Sequence, residues 1–427
     1  MKSKMADYDV LVVGGGILGL ASAYYVKHNN RRLSVGLVEK DRDVGQGNTA
    51  KSVGGYRQGI FTSKVNQVLS ETSIGVFREI ERSGEAKLNM REVGYLILMS
   101  RSRMRKLEGV VEQFVKSGRA ELLNQAMLRE YFGLQTSFAG DEEAALMGLE
   151  EIVSGLYAPY CGMLDVEKLV EAYKRRCLND GVEIIPNKKV DRIVLEPETP
   201  LGIPNEPRAW QKTRVAGVRM GEDVLRGERF VVAAGSWTPE LLDPIGVDCF
   251  VKPKKRQLYA VKASGGLEQL LQTKWAGERP LPFMFFPNGL YVVPRVDEKS
   301  FWVSLTDDIG RPFGHDYEPE PNFYYEIIHP VLQKYLPPFS NARPYNMWAG
   351  CYSMNNLDGN PLVFKFLNCV VATGASGSGV MKSDAVGRIA EAVLFDRPYA
   401  ELHGGVKFDV SIIGVENRRV DKEYFIL

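Results

Sequence analysis

Three glycines, Gly14, Gly16 and Gly19, stand in the spacing GxGxxG directly after an apolar run at residues 9–13. Each has a chemical task in holding a dinucleotide. Gly14 permits a tight turn, Gly16 lets the backbone approach a pyrophosphate, and Gly19 lets a helix pack close to the strand. Ile17 and Leu18 then open a helical run over 18–27, whose first N–H groups and positive dipole end face the phosphates. A second apolar strand, 34–38, ends in Glu39, 20 residues after Gly19, where a carboxylate accepts hydrogen bonds from ribose hydroxyls; Lys40 follows it. Strand, turn, helix, strand and acid in this order make the motif specific rather than a chance glycine cluster.

Two further glycine-rich strand ends follow, at 233–235 and 374–379. A nicotinamide dehydrogenase commonly shows one such turn and then a separate catalytic domain. Three turns with a domain inserted between them fit a bound flavin better. The first turn takes the pyrophosphate, the second the middle of the cofactor, and the third brings N–H groups beneath the ring system.

Composition narrows the function classes. The chain has 427 residues, enough for two or three domains' worth of core. With 54 basic and 53 acidic residues the net charge is +1, so nothing in it favours nucleic acid as a partner. Five scattered cysteines without CxxC spacing and four histidines without paired spacing give no metal site. They also argue against a disulfide framework and fit a reducing cytoplasm. No signal-peptide core and no apolar run near the ~20 residues of a membrane span are present, so no transmembrane segment is expected. A cytoplasmic location follows, with peripheral membrane attachment left open. The apolar end at 424–427 is expected to pack on the surface, across a cleft or against a second copy of the chain.

The elements that must position these residues read as a mixed α/β and α+β protein. A polar loop at 45–59 precedes a helix over 63–83. A strand at 94–98 leads to helices over 102–116 and 126–132, and Asp165 caps a helix ended by Gly181. Strands follow at 182–185 and 190–195, and a Pro- and Gly-rich surface loop over 196–210 joins two hairpin strands. Residues 229–235 form a buried strand. Strands at 258–261, 290–293 and 301–305 and a helix over 322–335 suggest a mostly antiparallel sheet backed by helices. The expected division is a Rossmann-like FAD-binding domain from 1–89, 151–245 and 346–427. A discontinuous, mostly antiparallel-sheet substrate-binding domain takes 90–150 and 246–345.

The motifs at residues 10–19, 94–96, 162–165, 231–237 and 374–379 together resemble the FAD-dependent amino-acid oxidoreductases of the D-amino-acid oxidase, glycine oxidase and sarcosine oxidase superfamily. The segments 252–256, 300–305, 348–352 and 377–384, with the ending at Leu427, make the chain most similar to the archaeal dye-linked L-proline dehydrogenases. The resemblance implies FAD bound non-covalently and oxidation of L-proline by hydride transfer, from the C–H beside the ring nitrogen to flavin N5. Electrons would pass to a quinone or carrier protein. Other readings on the same scaffold are a sarcosine or D-amino-acid dehydrogenase, or a flavin-bearing relay subunit of a larger complex. Homo-oligomerisation is left open.

Residue by residue, the resemblance implies a cofactor-binding set beyond the first turn and Glu39. It includes Asn48, Thr49, Ala50 and Ser52 from the approach loop and Val190, Ala234, Gly235 and Trp237 from the second turn region. Gly350 and the run Gly374, Gly377, Ser378, Gly379, Val380, Met381 and Lys382 complete it. Sarcosine oxidases attach flavin through a Cys at the position of Gly350. Cys351 is one register off, which turns it to the opposite face of an extended segment, so it reads as packing. They also carry an O₂-activating Lys where this chain has Trp302, and an indole supplies no such charge. Arg57 resembles the carboxylate-binding Arg, and a guanidinium can pair with a carboxylate bidentately. Lys382 is expected at substrate, at flavin or at a helix start, Met381 against the substrate ring or the flavin, and Tyr352 near the ring or as a half-buried core tyrosine. Tyr259, Arg256 and Trp302 are expected to face the cleft. Arg256 also lies in a basic run, 252–256, of the kind that forms a solvated face.

Overall fold

The structure, a computed structural model, describes residues 6–425. The chain starts with β1 (Tyr8–Val13), α1 (Ile17–Asn29) and β2 (Val35–Val38). It continues through α2 (Lys64–Arg82), β3 (Tyr95–Ser100), α3 (Arg101–Lys116), β4 (Glu121–Asn124), α4 (Gln125–Phe132) and β5 (Ile152–Ala158). Next come α5 (Val166–Asp180), β6 (Val182–Ile185), β7 (Arg192–Pro197), β8 (Thr213–Met220) and β9 (Asp223–Val232). Then follow β10 (Val251–Lys262), β11 (Phe283–Phe285), β12 (Leu290–Arg295), β13 (Ser300–Leu305) and β14 (Pro344–Asn355). The last of these main elements are β15 (Leu362–Phe366), β16 (Cys369–Thr373) and α6 (Gly379–Leu394).

One sheet has the order β15-β16-β9-β1-β2-β6. Its β16, β9, β1, β2 and β6 run parallel, and β7 and β8 extend it as antiparallel partners beyond β9. Strands buried on both faces read as continuous apolar runs, as Val10, Leu11, Val12 and Val13 do here. The 196–210 loop joins β7 to β8 as expected. The other sheet, β14-β10-β13-β12-β11-β3-β5-β4, is antiparallel except where β11 pairs with β3. This is the Rossmann-like half and the mostly antiparallel half that the patterns suggested.

The dividing lines differ from those expected. Both β5 and β14 pair in the second sheet, although 151–245 and 346–427 were assigned to the nucleotide half. Their partners, β3 and β10, lie far away in the chain or across a helical insertion, and such pairing leaves no local signature. The helix expected over 322–335 takes wide turns over Phe323–Ile328 and becomes regular only at His329–Tyr335, with Pro330, which lacks an N–H, at the junction.

Helix α6 lies against α1 so closely that a Cβ on Gly387 would stand 2.7 Å from the Ala21 backbone. Beside that contact, the buried Asp384 carboxylate accepts from the hydroxyls of Tyr25 and Tyr173 and from Arg388 Nε at 2.8 Å. One acid therefore joins α1, α5 and α6. Removing one partner of a buried charged network leaves the others uncompensated. Asp384→Ala is expected to cost about 3–5 kcal/mol of stability, read from urea denaturation midpoints. A loss below about 1 kcal/mol would show that these groups find other partners.

Candidate active site

The ends of β1, β9 and β16 point into a cavity of about 570 Å³ between the two sheets. Gly14 turns with φ +103°, and a Cβ there would lie 2.6 Å from the Ala233 carbonyl oxygen. A Cβ on Gly19 would lie 1.8 Å from the Gly14 oxygen, so helix and turn can meet only through glycine. The N-cap of α1 is Gly16, without a side-chain cap, and Thr49 Oγ accepts from Ile17 N–H at 3.2 Å. Glu39 is buried at the end of β2. Its two carboxylate oxygens accept from Gly15 N–H at 2.6 Å and Asp41 N–H at 2.9 Å. Burial pushes its pKa up, and those two backbone donors oppose the shift. A carboxylate has about four lone-pair sites, so acceptor capacity remains for two ribose hydroxyls.

Asn48 ties the approach loop to both halves of the molecule. Asn48 Nδ2 donates to Ser236 Oγ at 2.9 Å, while its Oδ1 accepts from Cys351 N–H at 2.8 Å. Gly350 faces that loop, and a Cβ there would stand 3.1 Å from Lys51 Cδ. The Cys351 thiol instead turns towards the carbonyls of Gly314 and Asp316, at 3.6 and 3.5 Å. All five cysteines are free and buried. Trp237 stacks on His315 and Tyr317, with Lys40 Nζ 4.6 Å above its ring.

The opposite end of the cavity is an aromatic box. Tyr95, Phe283, Phe285 and Tyr291 line it, and the two phenylalanines stack with centroids 4.4 Å apart. Tyr352 lies in the wall with Arg256 above its ring at 5.4 Å. Two cations close this end. The Arg57 guanidinium stacks on Phe61 at 4.1 Å and donates from Nη1 to the Phe425 carbonyl at 2.5 Å. Lys382, buried in the first turn of α6, donates from Nζ to Asn66 Oδ1 at 2.5 Å. Burial, and then the charge of Arg57, push the Lys382 pKa down to about 7, against the opposing pull of Glu423 and Asp358. Of the apolar end expected to pack across a cleft or against a second copy, Tyr424 is exposed and Phe425 turns inwards. Phe425 is fully buried, its ring 5.6 Å from that of Phe114, while residues 426 and 427 lie outside the described residues.

The cavity wall gathers most of the expected residues. Gly14, Gly16, Ile17, Leu18, Glu39 and Lys40 line one end. Asn48, Thr49, Ser52, Val190, Ala234, Gly235, Trp237 and Gly350 line the middle, and residues 377–382 line the rim of α6. Arg57, Arg256 and Tyr352 are there too.

Several expectations need correction. Tyr259 is wholly buried on the other face of β10, its hydroxyl donating to the Glu320 carbonyl at 2.7 Å, because alternation sends Arg256 and Leu258 into the cavity and Gln257 and Tyr259 away from it. Trp302 is outside the wall, with its indole N–H donating to Glu298 and its ring edge-on to Trp348. Gly19, Ala50 and Gly374 also fall behind the wall: Gly19 packs on the turn, Ala50 is exposed, and Gly374 backs onto Leu362 and Asn355. Arg256 is not a solvated cation, being paired with Asp308 at 2.5 Å. Sequence reasoning missed Lys51, Asn66, Glu423 and the aromatic box; all six residues of β3 are buried, so its alternation carries no polarity signal.

The family model described as FAD dependent oxidoreductase, named DAO, matches residues 9–392. The chain belongs to the DAO family of FAD-dependent oxidoreductases. "FAD-dependent oxidoreductase domain-containing protein 1" of Bos taurus is 28% identical over 429 residues, covering 90% of this chain and 81% of that one. The crystal structure of L-proline dehydrogenase from P. horikoshii superposes with TM-score 0.71 at 19% identity, covering 92% of this chain and 94% of that one. Glycine oxidase from Geobacillus kaustophilus gives 0.69 at 18% identity over 91% and 95%. At such identities the two structures share the fold.

The DAO cofactor is FAD, and the residues present fit it. The glycine cradle leaves no room for a Cβ, Glu39 retains acceptor capacity, and the N-termini of α1 and α6, neither capped by the side chain of its own N-cap residue, border the same cavity. Among the described residues, no group of three or more His, Cys, Asp or Glu is arranged to hold a metal, and no helix is long and apolar enough to cross a membrane.

Lys382 gives this DAO-family site a pH dependence of definite sign. The amine is charged below pH ~7 and neutral above it, whereas an unfolded lysine stays charged to about 10.4. Burying it therefore destabilises the ligand-free protein most below pH 7, and the penalty is relieved as pH rises from 7 towards 10. A carboxylate ligand held by Lys382 would follow the opposite course, binding most tightly below pH 7 and weakening through it. Titrating the flavin absorbance change with a carboxylate between pH 6 and 9 measures this, and Lys382→Met should flatten the dependence.

Proposed function

We propose that the protein is an FAD-dependent dehydrogenase that oxidises L-proline to Δ1-pyrroline-5-carboxylate and hands its electrons to a quinone or a carrier protein rather than to O₂. The observation that carries this reading is the shape of the cavity's far end: an aromatic box closed by Arg57 and Lys382. Such a box takes a small apolar ring, and the two cations compensate one carboxylate inside a desolvated space. When bound, FAD supplies the two-electron acceptor for the substrate C–H.

The chain's own residues bind and orient. Arg57, released from the Phe425 carbonyl, offers a planar donor pair to the substrate carboxylate, and charged Lys382 adds a second donor. Tyr95, Phe283, Phe285 and Tyr291 exclude water around the ring. A desolvated amine beside cations loses its proton easily, so the free amine needed for oxidation forms without a dedicated base. The acceptor other than O₂ is carried over from the resemblance, since Trp302, tied to Glu298 and Trp348, lies outside the cavity wall.

Anaerobic mixing with single amines separates the readings. L-proline alone should bleach the flavin, and reoxidation should be fast with a quinone or dye and slow with air. Bleaching by sarcosine or D-amino acids instead would reassign the substrate, and bleaching by none would leave an electron-relay role. FAD should remain in the supernatant after acid precipitation, since the Cys351 thiol is engaged with the carbonyls of Gly314 and Asp316.

Truncating one partner of a buried charge pair costs about 2–5 kcal/mol. Arg57→Ala should therefore lower kcat/KM for proline by roughly 30- to several-thousand-fold, at about 1.4 kcal/mol per decade, with FAD content near normal. Pyrrolidine, which lacks the carboxylate, should lose little. Equal losses for both would show that Arg57 shapes the loop instead.

A further inference from the structure

The residues after α6 return to the cavity by a route the proposed reaction does not use. Asp421 accepts from Ser63 Oγ at 2.9 Å and from the N–H groups of Lys64 and Val65 at 2.5 and 3.2 Å, docking the segment on the first turn of α2. Glu423 then enters the cavity wall. One of its oxygens accepts from Thr62 N–H at 3.1 Å, Thr62 Oγ at 2.8 Å and Phe425 N–H at 3.1 Å. The other accepts from Ser63 N–H and Asn66 Nδ2, both at 3.3 Å, and stands 3.7 Å from Arg57 Nη2. The same Asn66 receives Lys382 Nζ on its Oδ1. Glu423 is thus joined to one cation directly and to the other through a single amide.

Its lone pairs are taken by donors of the protein, so Glu423 acts on a bound molecule through charge rather than contact. Its side chain is only 9% exposed, and that of Arg57 12%, so water screens the pair weakly. The other acids near this end are already matched. Asp358 is held by Arg418 at 2.6 Å on both oxygens, and Asp308 by Arg256. Below pH ~7, where Lys382 is charged, Arg57 and Lys382 therefore face the one carboxylate of Glu423 among the described residues, leaving one positive charge for the ligand.

We propose that Glu423 is a specificity-determining counter-charge: it limits the Arg57–Lys382 end of the cavity to substrates that carry one carboxylate and repels those that carry a second. The inference rests on the carboxylate-binding reading given above for Arg57 and Lys382.

The test uses the holoenzyme and two unreactive flat probes, pyrrole-2-carboxylate and pyrrole-2,5-dicarboxylate, with Kd read from the flavin absorbance change. Wild type should favour the monocarboxylate. Glu423→Gln should move the ratio of the two Kd values towards the dicarboxylate by about tenfold or more. Lys382→Met should move it the other way, and adding Lys382→Met to Glu423→Gln should return it towards wild type, which a merely structural strap would not do. Phe425→Ala, which loosens the segment but keeps its charge, should leave the ratio near the wild-type value. If Glu423→Gln does not fold, Lys382→Met decides alone, and an unmoved ratio overturns the proposal. A Phe425→Ala shift equal to that of Glu423→Gln also overturns it. Unchanged ratios alongside flavin bleaching by L-proline would sink this proposal and leave the proposed reaction standing. If neither probe binds wild type and proline does not bleach it, both fail.

Discussion

The Gly19–Gly14 contact is the constraint on which the rest of the site depends. The backbone of α1 presses on the turn after β1 at a distance that excludes even a methyl group, and the same turn presses on the Ala233 carbonyl at the end of β9. Three elements are thereby brought to one point, with the α1 N-terminus facing the space beyond. Glu39 could not bind Gly15 N–H from the end of β2 unless that turn were so tight. The cradle is made of backbone, and its geometry follows from what is missing at Cβ.

Side chains help to hold the second half to the first. Asn48 reaches Ser236 with one end of its amide and the Cys351 backbone with the other, so the approach loop is clamped between the nucleotide sheet and β14. Beyond it the wall changes character, from backbone donors to aromatic faces and then to paired charges. A glycine-lined end and an aromatic end share one cavity: the first is built at the ends of β1, β9 and β16, the second from β3, β11 and β12, and Arg57 and Lys382 reach the aromatic end from the nucleotide half.

The sequence carried some of this and withheld the rest for physical reasons. The glycine turns, the helix cap at Asp165 and the helix end at Gly181 depend on local backbone chemistry and were legible. The slip of Cys351 from Gly350 was legible too, because alternation along one strand is a local rule. Tyr259 was misplaced because both faces of β10 are covered, so a buried aromatic beside an arginine gives no sign of which face it takes. The strands β5 and β14 were put in the wrong half because their partners are distant in the chain. Glu423 gave no signal at all: its importance comes from meeting Arg57 and Asn66 some 360 residues away.

The docking of Asp421 on α2 bears on how the chain is made. The acid that receives the Lys64 N–H lies 357 residues later. At about 5–20 residues per second on the ribosome, α2 waits about 20–70 s for it. Throughout that interval the nucleotide cradle is emerging and the first turn of α2 lacks its carboxylates. The Asp421 and Glu423 contacts can therefore form only after all three glycine-rich turns have been made.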